Sequence, residues 1–246
     1  METIRLVTAL AHYNKWSTHQ MDVKCAFLNG PLEEEVYVVQ PPGFIDKENE
    51  SKKTNEGLIL HQRKYANEIL KRFEMDKCNP ALTPSEPRLQ LTKETDERDV
   101  DATEYRRLIG SLRYLCNTRP DIPYNVGIVS RYMERPKISH LSATKRILRY
   151  IKGTLDSGIV FQTSDGSNFD LVGYTDSNWC GDKDDRKSTA GYIFLYGGAP
   201  ISLCSRKEPV VALSTCEAEY IVASLSACQG VWLSNLITEI SPYRSG

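Results

Sequence analysis

The chain has 246 residues, of which 40% are hydrophobic and 26% are charged, and its formal net charge is −1. This is the composition of a globular protein of one or two domains, and no purely apolar run reaches the roughly 20 residues that a membrane span needs. We therefore expect no membrane association and, since the first residues make a poor signal peptide, no secretion. The seven cysteines show no CxxC spacing, which predicts free thiols in an intracellular protein of the cytoplasm or nucleus.

The first elements are a helix and short strands. Apolar residues at helical spacing predict a helix over residues 2–14, and β-branched and aromatic residues predict strands near 20–23 and 36–40. Residues 46–57 are almost wholly polar or charged, which is the composition of a solvated loop or a spliced junction. We place a discontinuity in the chain there.

Helices dominate the middle of the chain, and strands follow them. Apolar spacing predicts helices over about 62–75, 103–116, 121–133 and 139–152, the last of which is basic and amphipathic. From residue 159 the period becomes two, which predicts consecutive strands over 159–162, 170–176, 190–196 and 201–205, before a helix over 213–240. Adjacent strands followed by a helix indicate an α/β or α+β domain.

Local charge is uneven although the global charge is balanced. Residues 86–104 contain seven acids and three bases, whereas residues 131–153 contain seven bases and one acid. The second segment includes the basic helix, whose Lys145, Arg149 and Lys152 share one face. These side chains suit phosphate contacts, and the alternative is that they are solvated charges on an exposed helix face.

Two carboxylates in the last third of the chain have the placement of metal ligands. Asp176 ends an apolar strand, where a carboxylate can bind a divalent cation or cap a turn. Ser214 and Glu217 form an S-x-x-E capping box, which leaves Glu219 free at the start of the last helix. Glu219 borders the buried helix face and can lean toward Asp176, so the pair would form half of a two-metal site.

The segments around these carboxylates, YTDSNWCGDKDDRKSTAGYIF and SLCSRKEPVVALSTCEAEYIVAS, resemble the ribonuclease H domain of copia-type retrotransposon polyproteins. Upstream, YRRLIGSLRYLCNTRPDIPYNVGIVSRYMERP and ATKRILRYIKGT are similar to their connection region, and QMDVKCAFLNGPLEEEVYVVQPPGF is similar to the first catalytic motif of their reverse transcriptase. The resemblance covers nearly all of the chain, in the family's order.

The resemblance implies a division of the chain and a fold. It implies a reverse transcriptase palm remnant over 1–45, a junction or loop over 46–60, a helical connection region over 61–155, and a C-terminally truncated ribonuclease H-like domain over 156–246. The implied fold class is α/β (α+β), with a ribonuclease H-like mixed sheet and a long helix after the helical region.

For the polymerase, the resemblance implies that Asp22 binds catalytic magnesium and that Phe27 crowds the 2′ position of the sugar. From the residues alone, Asp22 could also be a surface aspartate in a turn. The family's aspartate pair, written YVDD, has no counterpart here, and only residues 46–57 separate PPGF from LILHQRKYANEIL, where the family has its palm. We therefore predict that the polymerase core is deleted and that the chain has no polymerase activity.

For the ribonuclease, the resemblance implies that Asp176 and Glu219 are the first two catalytic carboxylates and bind magnesium. The third would come from DNQSA-like sequence after the long helix, and we expect the chain to stop before it. This predicts little or no hydrolysis. The implied partner is an RNA–DNA hybrid or another nucleic acid, bound weakly through Lys145, Arg146, Arg149 and Lys152.

Three functions are compatible with the sequence. The first is a catalytically inactive polyprotein fragment, and the second is an active ribonuclease that takes its third carboxylate from Asp182 or from a partner chain. The third is a non-catalytic binding or effector-like protein, against which the lack of a signal peptide argues. The oligomeric state stays open.

Overall fold

The computed structural model describes residues 2–16, 53–54, 57–87, 89–162 and 170–240. The helices are α1 (Glu2–Tyr13), α2 (Arg63–Arg72), α3 (Ala102–Leu115), α4 (Pro123–Val129), α5 (Ile138–Gly153) and α6 (Thr215–Ile240), and a short 3-10 helix spans Ser130–Tyr132. The strands are β1 (Lys53–Thr54), β2 (Gly57–Leu60), β3 (Ile159–Gln162), β4 (Leu171–Asn178), β5 (Thr189–Tyr196) and β6 (Ala199–Lys207). The protein is therefore a mixed helix and sheet structure, as the sequence predicts.

The helices α2 to α5 pack around one hydrophobic core. Its fully buried members include Ile69 of α2, Ile109 and Leu112 of α3, and Ile147 and Leu148 of α5. On each helix these side chains recur at three- and four-residue spacing, so burial of one apolar stripe per helix produces the bundle. The predicted helices 62–75, 103–116, 121–133 and 139–152 correspond to α2, α3, α4 with the 3-10 turn, and α5.

Two residues affect the stability of helix α3 in opposite directions, Asp101 at its N-cap and Gly110 in its interior. Asp101 caps it, because its carboxylate accepts the backbone N–H groups of Thr103 at 2.7 Å and Glu104 at 3.3 Å. Gly110 lies in the helix interior, where glycine costs about 1 kcal/mol relative to alanine. A Cβ at Gly110 would meet no atom within 4 Å, so packing does not require glycine there.

The first sheet has the order β1-β2-β3 and is antiparallel. Leu58 of β2 pairs with Phe161 of β3, and Leu60 pairs with Ile159. The sequence predicts a loop or junction at 46–60 and places strand 159–162 with the strands that follow it. The structure differs because the apolar run at 57–60 pairs with β3 and joins its core.

The second sheet has the order β4-β5-β6, and β4 is at its edge. Helix α6 packs against β4 and β5, so the predicted strands 170–176, 190–196 and 201–205 form one sheet with the long helix beside it. Strand pairing is antiparallel in both sheets over the described residues, whereas the resemblance implies a mixed sheet. The ribonuclease H-like topology thus stays a prediction.

Helix α1 belongs to the same core as this second sheet. Its Leu6 and Leu10 are fully buried with Ile201 of β6 and Leu233 of α6. The side-chain amide of Gln229 on α6 donates to Glu2 at 2.9 Å. The two ends of the described chain are therefore packed together, although the sequence assigns them to different parts.

Two polar contacts join this core to the helical core. The buried guanidinium group of Arg5 on α1 donates to the carbonyl oxygen of Asn117, just after α3, with the Nη2 atom at 2.6 Å. The Asp182 carboxylate, whose side chain is 3% exposed, pairs with Arg131 at 2.9 Å and with Lys207 of β6 at 2.6 Å. These contacts fix the sheet against the helices.

Candidate functional site

Asp176 lies near the end of the edge strand β4 and is exposed. Side chains alternate between the two faces of a strand, and residue 173 marks the face covered by α6. A Cβ at Gly173 would lie 2.6 Å from the Phe194 ring, and one at Gly230 of α6 would lie 3.2 Å from the same ring. Asp176 is three residues beyond Gly173, so it projects from the opposite face.

Glu219 lies in the first turns of α6, which begins as the sequence predicts. The Ser214 hydroxyl oxygen accepts the N–H of Glu217 at 3.1 Å, and the Glu217 carboxylate accepts the N–H of Leu213 at 2.6 Å. Glu217 is thus used as a cap. Glu219 reaches the open edge of β4, where its Oε1 atom accepts the backbone N–H of Ser177 at 3.4 Å.

The structure therefore places Glu219 one peptide away from Asp176. Glu219 lies at the edge of the sheet itself, and Asp176 projects from the face that α6 leaves open. Both side chains are exposed, so water competes with any cation for their oxygen atoms.

A third carboxylate near this edge has no signal in the sequence. Glu208 directly follows β6 and is 2% exposed, and its Oε1 atom accepts the Ser177 hydroxyl at 3.0 Å. Its Oε2 atom is buried and has no hydrogen-bond partner. Glu208 stands in the run Arg206-Lys207-Glu208-Pro209, which reads as an exposed polar turn.

The number of ligand side chains near the β4 edge determines which kind of metal site these residues could form. Among the described residues, no three His, Cys, Asp or Glu side chains come together to hold a metal ion. Magnesium is commonly held by one or two carboxylates and completed by water, so Asp176 and Glu219 would supply the protein ligands of at most a single hydrated ion. A two-metal centre does not fit the described residues.

Asp182, which the sequence offers as a replacement ligand, has a structural role. Burial opposes its charge, but hydrogen bonds from Lys207, the Asp184 N–H and Arg131 hold the pKa of Asp182 below its usual value. Its carboxylate is therefore ionised and fully engaged at the junction of the two cores. Asp22 and Phe27, the predicted polymerase residues, lie outside the described residues.

The basic helix α5 is partly covered by a segment without helix or strand, residues 79–87 and 89–99, which we call the strap. Arg149 donates to the Asn79 carbonyl oxygen at 2.8 Å, and Arg146 pairs with Glu86 at 3.1 Å. At the start of α5, the Glu97 carboxylate accepts the Ser139 N–H at 2.8 Å, which lowers the pKa of Glu97. The acidic segment of the sequence thus lies along the basic one.

The four basic residues predicted to bind nucleic acid consequently differ. Arg146 and Arg149 hold the strap. Lys145 is exposed and Lys152 is half-buried, and neither forms an ion pair or hydrogen bond within the part of the chain that the structure describes. Lys145 and Lys152 are the two that can meet a phosphate group without losing a partner.

A cleft of about 280 Å³ lies under the strap, and neither Asp176 nor Glu219 lines it. Its lining includes Leu89 and Leu91 of the strap, Ile128 of α4 and Ile147 of α5, with Asp182 at its polar side. Most of these side chains belong to the helical core or its ion pairs, so the cleft is a packing gap between strap, helices and loop.

Helix α6 is long and apolar enough, by length and composition, to cross a membrane. It has no charged residue between Glu219 and Glu239, and 17% of its most apolar window is buried. Polar residues such as Ser224, Gln229 and Asn235 interrupt its apolar stretches, so the rule of an uninterrupted apolar run does not detect this helix. In the structure this helix lies against β4 and β5.

Comparisons with known proteins show which family this chain belongs to. Residues 1–56 match the family described as reverse transcriptase (RNA-dependent DNA polymerase). The retrovirus-related Pol polyprotein from transposon RE1 of Arabidopsis thaliana is 31% identical over 335 residues, covering 97% of this chain and 23% of that protein. The chain belongs to the copia-type retrotransposon Pol polyproteins. No solved structure matches it.

Two further proteins are similar to parts of this chain. The Pol polyprotein from transposon TNT 1-94 of Nicotiana tabacum is 39% identical over 199 residues, covering 78% of this chain and 15% of that protein. A protein of Plasmopara viticola named secreted RxLR effector protein 161 is 39% identical over 131 residues, covering 53% of this chain and 91% of that protein. The chain spans less than a quarter of the two polyproteins.

The match to the RE1 polyprotein is longer than this chain. That match covers 335 positions, whereas 97% of 246 residues is about 239, so about 96 positions have no counterpart here. The RE1 polyprotein therefore has, within the matched stretch, about 96 positions to which no residue of this chain is matched.

Proposed function

We propose that this Pol chain is a non-catalytic remnant that binds nucleic acid through the charge of α5. The observation that carries the proposal is the donor set at the β4 edge, where Asp176 and Glu219 have no third ligand among the described residues. The positions missing relative to RE1 support a deleted polymerase palm. Among the described residues, what supports binding is the basic surface of α5, and the β4 edge offers only the two predicted carboxylates Asp176 and Glu219.

Hydrolysis is tested with a labelled RNA strand in an RNA–DNA hybrid, with magnesium or manganese present. We expect no cleavage above that of the Asp176→Asn variant. Cleavage that disappears in Asp176→Asn and in Glu219→Gln would contradict the proposal and would identify an active ribonuclease.

Polymerase activity is tested by primer extension on a primed RNA template with magnesium. We expect no incorporation above that of Asp22→Ala, because the aspartate pair of the family is missing. A product that depends on Asp22 would overturn the deletion.

Binding is tested with the same hybrid by fluorescence anisotropy at several salt concentrations. Each lost phosphate contact lowers the salt slope by about 0.9 for a duplex, so Lys145→Gln with Lys152→Gln should weaken binding and flatten the slope by up to about 1.8. The control is Lys15→Gln with Lys183→Gln, which removes two exposed lysines that lie outside α5 and the strap. Equal loss in both double variants would show that α5 is only a solvated face.

An active ribonuclease is the second candidate, and Glu208 is the observation that favours it. Its buried Oε2 atom lacks a partner, and its other oxygen atom binds Ser177, whose backbone N–H binds Glu219. If cleavage is found, Glu208→Gln should reduce it without unfolding the protein. Unchanged cleavage in Glu208→Gln would remove Glu208 from the site.

A further inference from the structure

A pair of tyrosine rings lies where α2 meets α3. The rings of Tyr65 and Tyr114 meet edge to face, with centroids 4.8 Å apart and planes at 74°. The Tyr65 hydroxyl donates to the Ser111 carbonyl oxygen at 3.5 Å, so Tyr65 is anchored on α3. Tyr114 is 54% exposed and presents much of its ring to solvent on this support.

The helix surface beside Tyr114 is bare. Gly110 is exposed one turn before Tyr114, and a Cβ there would meet nothing within 4 Å. Neither packing nor a positive φ angle requires glycine at this position, although glycine weakens a helix interior. A flat strip of backbone next to an exposed ring suits the close approach of another planar group.

Each of the two helices adds an arginine on the same face as its tyrosine. Arg107 precedes Tyr114 by seven residues and Arg72 follows Tyr65 by seven, a spacing that returns to nearly the same side of a helix. Both arginines are exposed, and within the described residues neither guanidinium group forms an ion pair or hydrogen bond. Glu68, one turn before Arg72, forms no ion pair with it among those residues.

We propose that this α2–α3 face binds single-stranded nucleic acid, with one base stacked on Tyr114 over Gly110 and with phosphate groups at Arg72 and Arg107. The proposal rests on the proposed function for the class of partner, but it uses residues outside α5. Aromatic rings stack on any base, and arginines neutralise the backbone, which is the common pattern of sequence-tolerant single-strand binding. A duplex hides its base faces and cannot use Tyr114 in this way.

The ring is tested with fluorescein-labelled oligo(dT) of about 15 nucleotides and a duplex of equal length, by anisotropy. Tyr114→Leu should weaken oligo(dT) binding about tenfold, within the range of one lost base stack, and should leave duplex binding unchanged. Tyr114→Phe keeps the ring and should bind like the original protein. Matching thermal midpoints for the two variants would show that the loss does not come from unfolding.

The arginines are tested by the salt dependence of oligo(dT) binding. Arg72→Gln and Arg107→Gln should each lower the slope by about 0.7, the value for one phosphate contact on a single strand. Arg98→Gln is the matched control, because Arg98 is exposed and its side chain forms no ion pair or hydrogen bond within the described residues. An equal change in Arg98→Gln would overturn the assignment of these two arginines.

The bare strip is tested by Gly110→Ala, which should raise the thermal midpoint and yet weaken oligo(dT) binding. Gly127→Ala in α4 is the control, since a Cβ there makes only ordinary contacts with Ser205 at 3.8 Å, away from Tyr114. It should leave binding unchanged. If Gly110→Ala binds oligo(dT) as tightly as the original protein, the close approach over Gly110 is wrong.

The results separate this inference from the proposed function. If Tyr114→Leu binds normally while the Lys145→Gln, Lys152→Gln variant binds weakly, the α2–α3 site is wrong and the α5 surface stands. If only the Tyr114 and arginine variants bind weakly, the inference stands and the α5 surface falls. If none of them changes binding, both fall.

Discussion

The two helices α5 and α6 show how differently the two cores of this protein are completed. Of the 16 residues in α5, six are buried, and the strap and the neighbouring helices cover most of its sides. Of the 26 residues in α6, four are buried, and the strand beside it, β4, has an open edge. The helical core is closed by its own residues, whereas among the described residues the second sheet keeps an unpaired edge along β4 and α6 keeps an exposed face. Substitutions should therefore act on stability in the first region and mainly on interactions in the second.

The largest effect is expected at the junction of the two cores. Asp182→Asn leaves Arg131 and Lys207 without their buried partner, and breaking a buried ion pair in this way costs about 3–5 kcal/mol. Asp156→Asn is the control, since the Arg63–Asp156 pair is solvent-exposed and such pairs contribute about 1 kcal/mol or less. Urea unfolding measures both. Equal losses would show that the junction does not hold the cores together.

The same carboxylate sets an acid limit. Because the pKa of Asp182 is lowered on folding, its stabilising contribution is present above the unfolded value of about 3.9 and is lost as the pH falls through the lower folded value. Unfolding at pH 7 and pH 3 should show this loss in the original protein. The Asp182→Asn variant should lose less over that range, and a parallel loss would assign the acid sensitivity to other groups.

The core helix and the exposed helix face can be compared by two truncations. Leu148→Ala in α5 removes a side chain that is 0% exposed and should cost about 2–5 kcal/mol. Val231→Ala in α6 removes one that is 62% exposed and should change stability by about 0.5 kcal/mol or less. A large loss in Val231→Ala would show that the α6 face is covered in solution.

A smaller effect than that of the core truncation is expected at the helix caps. Asp101→Ala and Ser214→Ala each remove a side-chain acceptor from the first turn of a helix, at a cost of about 1 kcal/mol. In α3 this loss should appear in global unfolding, because the helix is locked into its core. In α6 we expect mainly faster amide exchange near Glu219, measured by mass spectrometry. Slow exchange there would show that the first turn of α6 is held by more than its cap.

The sequence predicted the long elements because each has a clear period. Helix α5 and strand β5 follow from apolar residues at helical and alternating spacing, and the strand ends agree closely with the structure. Strand β2 was missed because four residues beside a polar stretch carry no period of their own, and it forms only by pairing with a strand about one hundred residues away. Pairing over such a distance leaves no local pattern.

The candidate site likewise has features that the sequence predicts and features that it does not. The approach of Glu219 to the strand of Asp176 followed from the capping box and from resemblance, and the structure places Glu219 beside Ser177. The burial of Glu208 and the engagement of Asp182 depend on which surfaces meet in three dimensions. For the same reason, the sequence could not separate Arg146 and Arg149, which hold the strap, from Lys145 and Lys152, which are free of it.

The packing of α1 beside α6 has a consequence for how the chain folds. The contact between Glu2 and Gln229 joins residues 227 positions apart, and Leu6 and Leu10 have their partners in the last third of the sequence. Contacts of such long range raise the contact order and slow folding, because a large loop must close before they form. During synthesis the apolar face of α1 stays exposed to solvent until β6 and α6 have left the ribosome. The sheet core is thus the last part of the protein to be completed, while α2 to α5 can form from neighbouring segments.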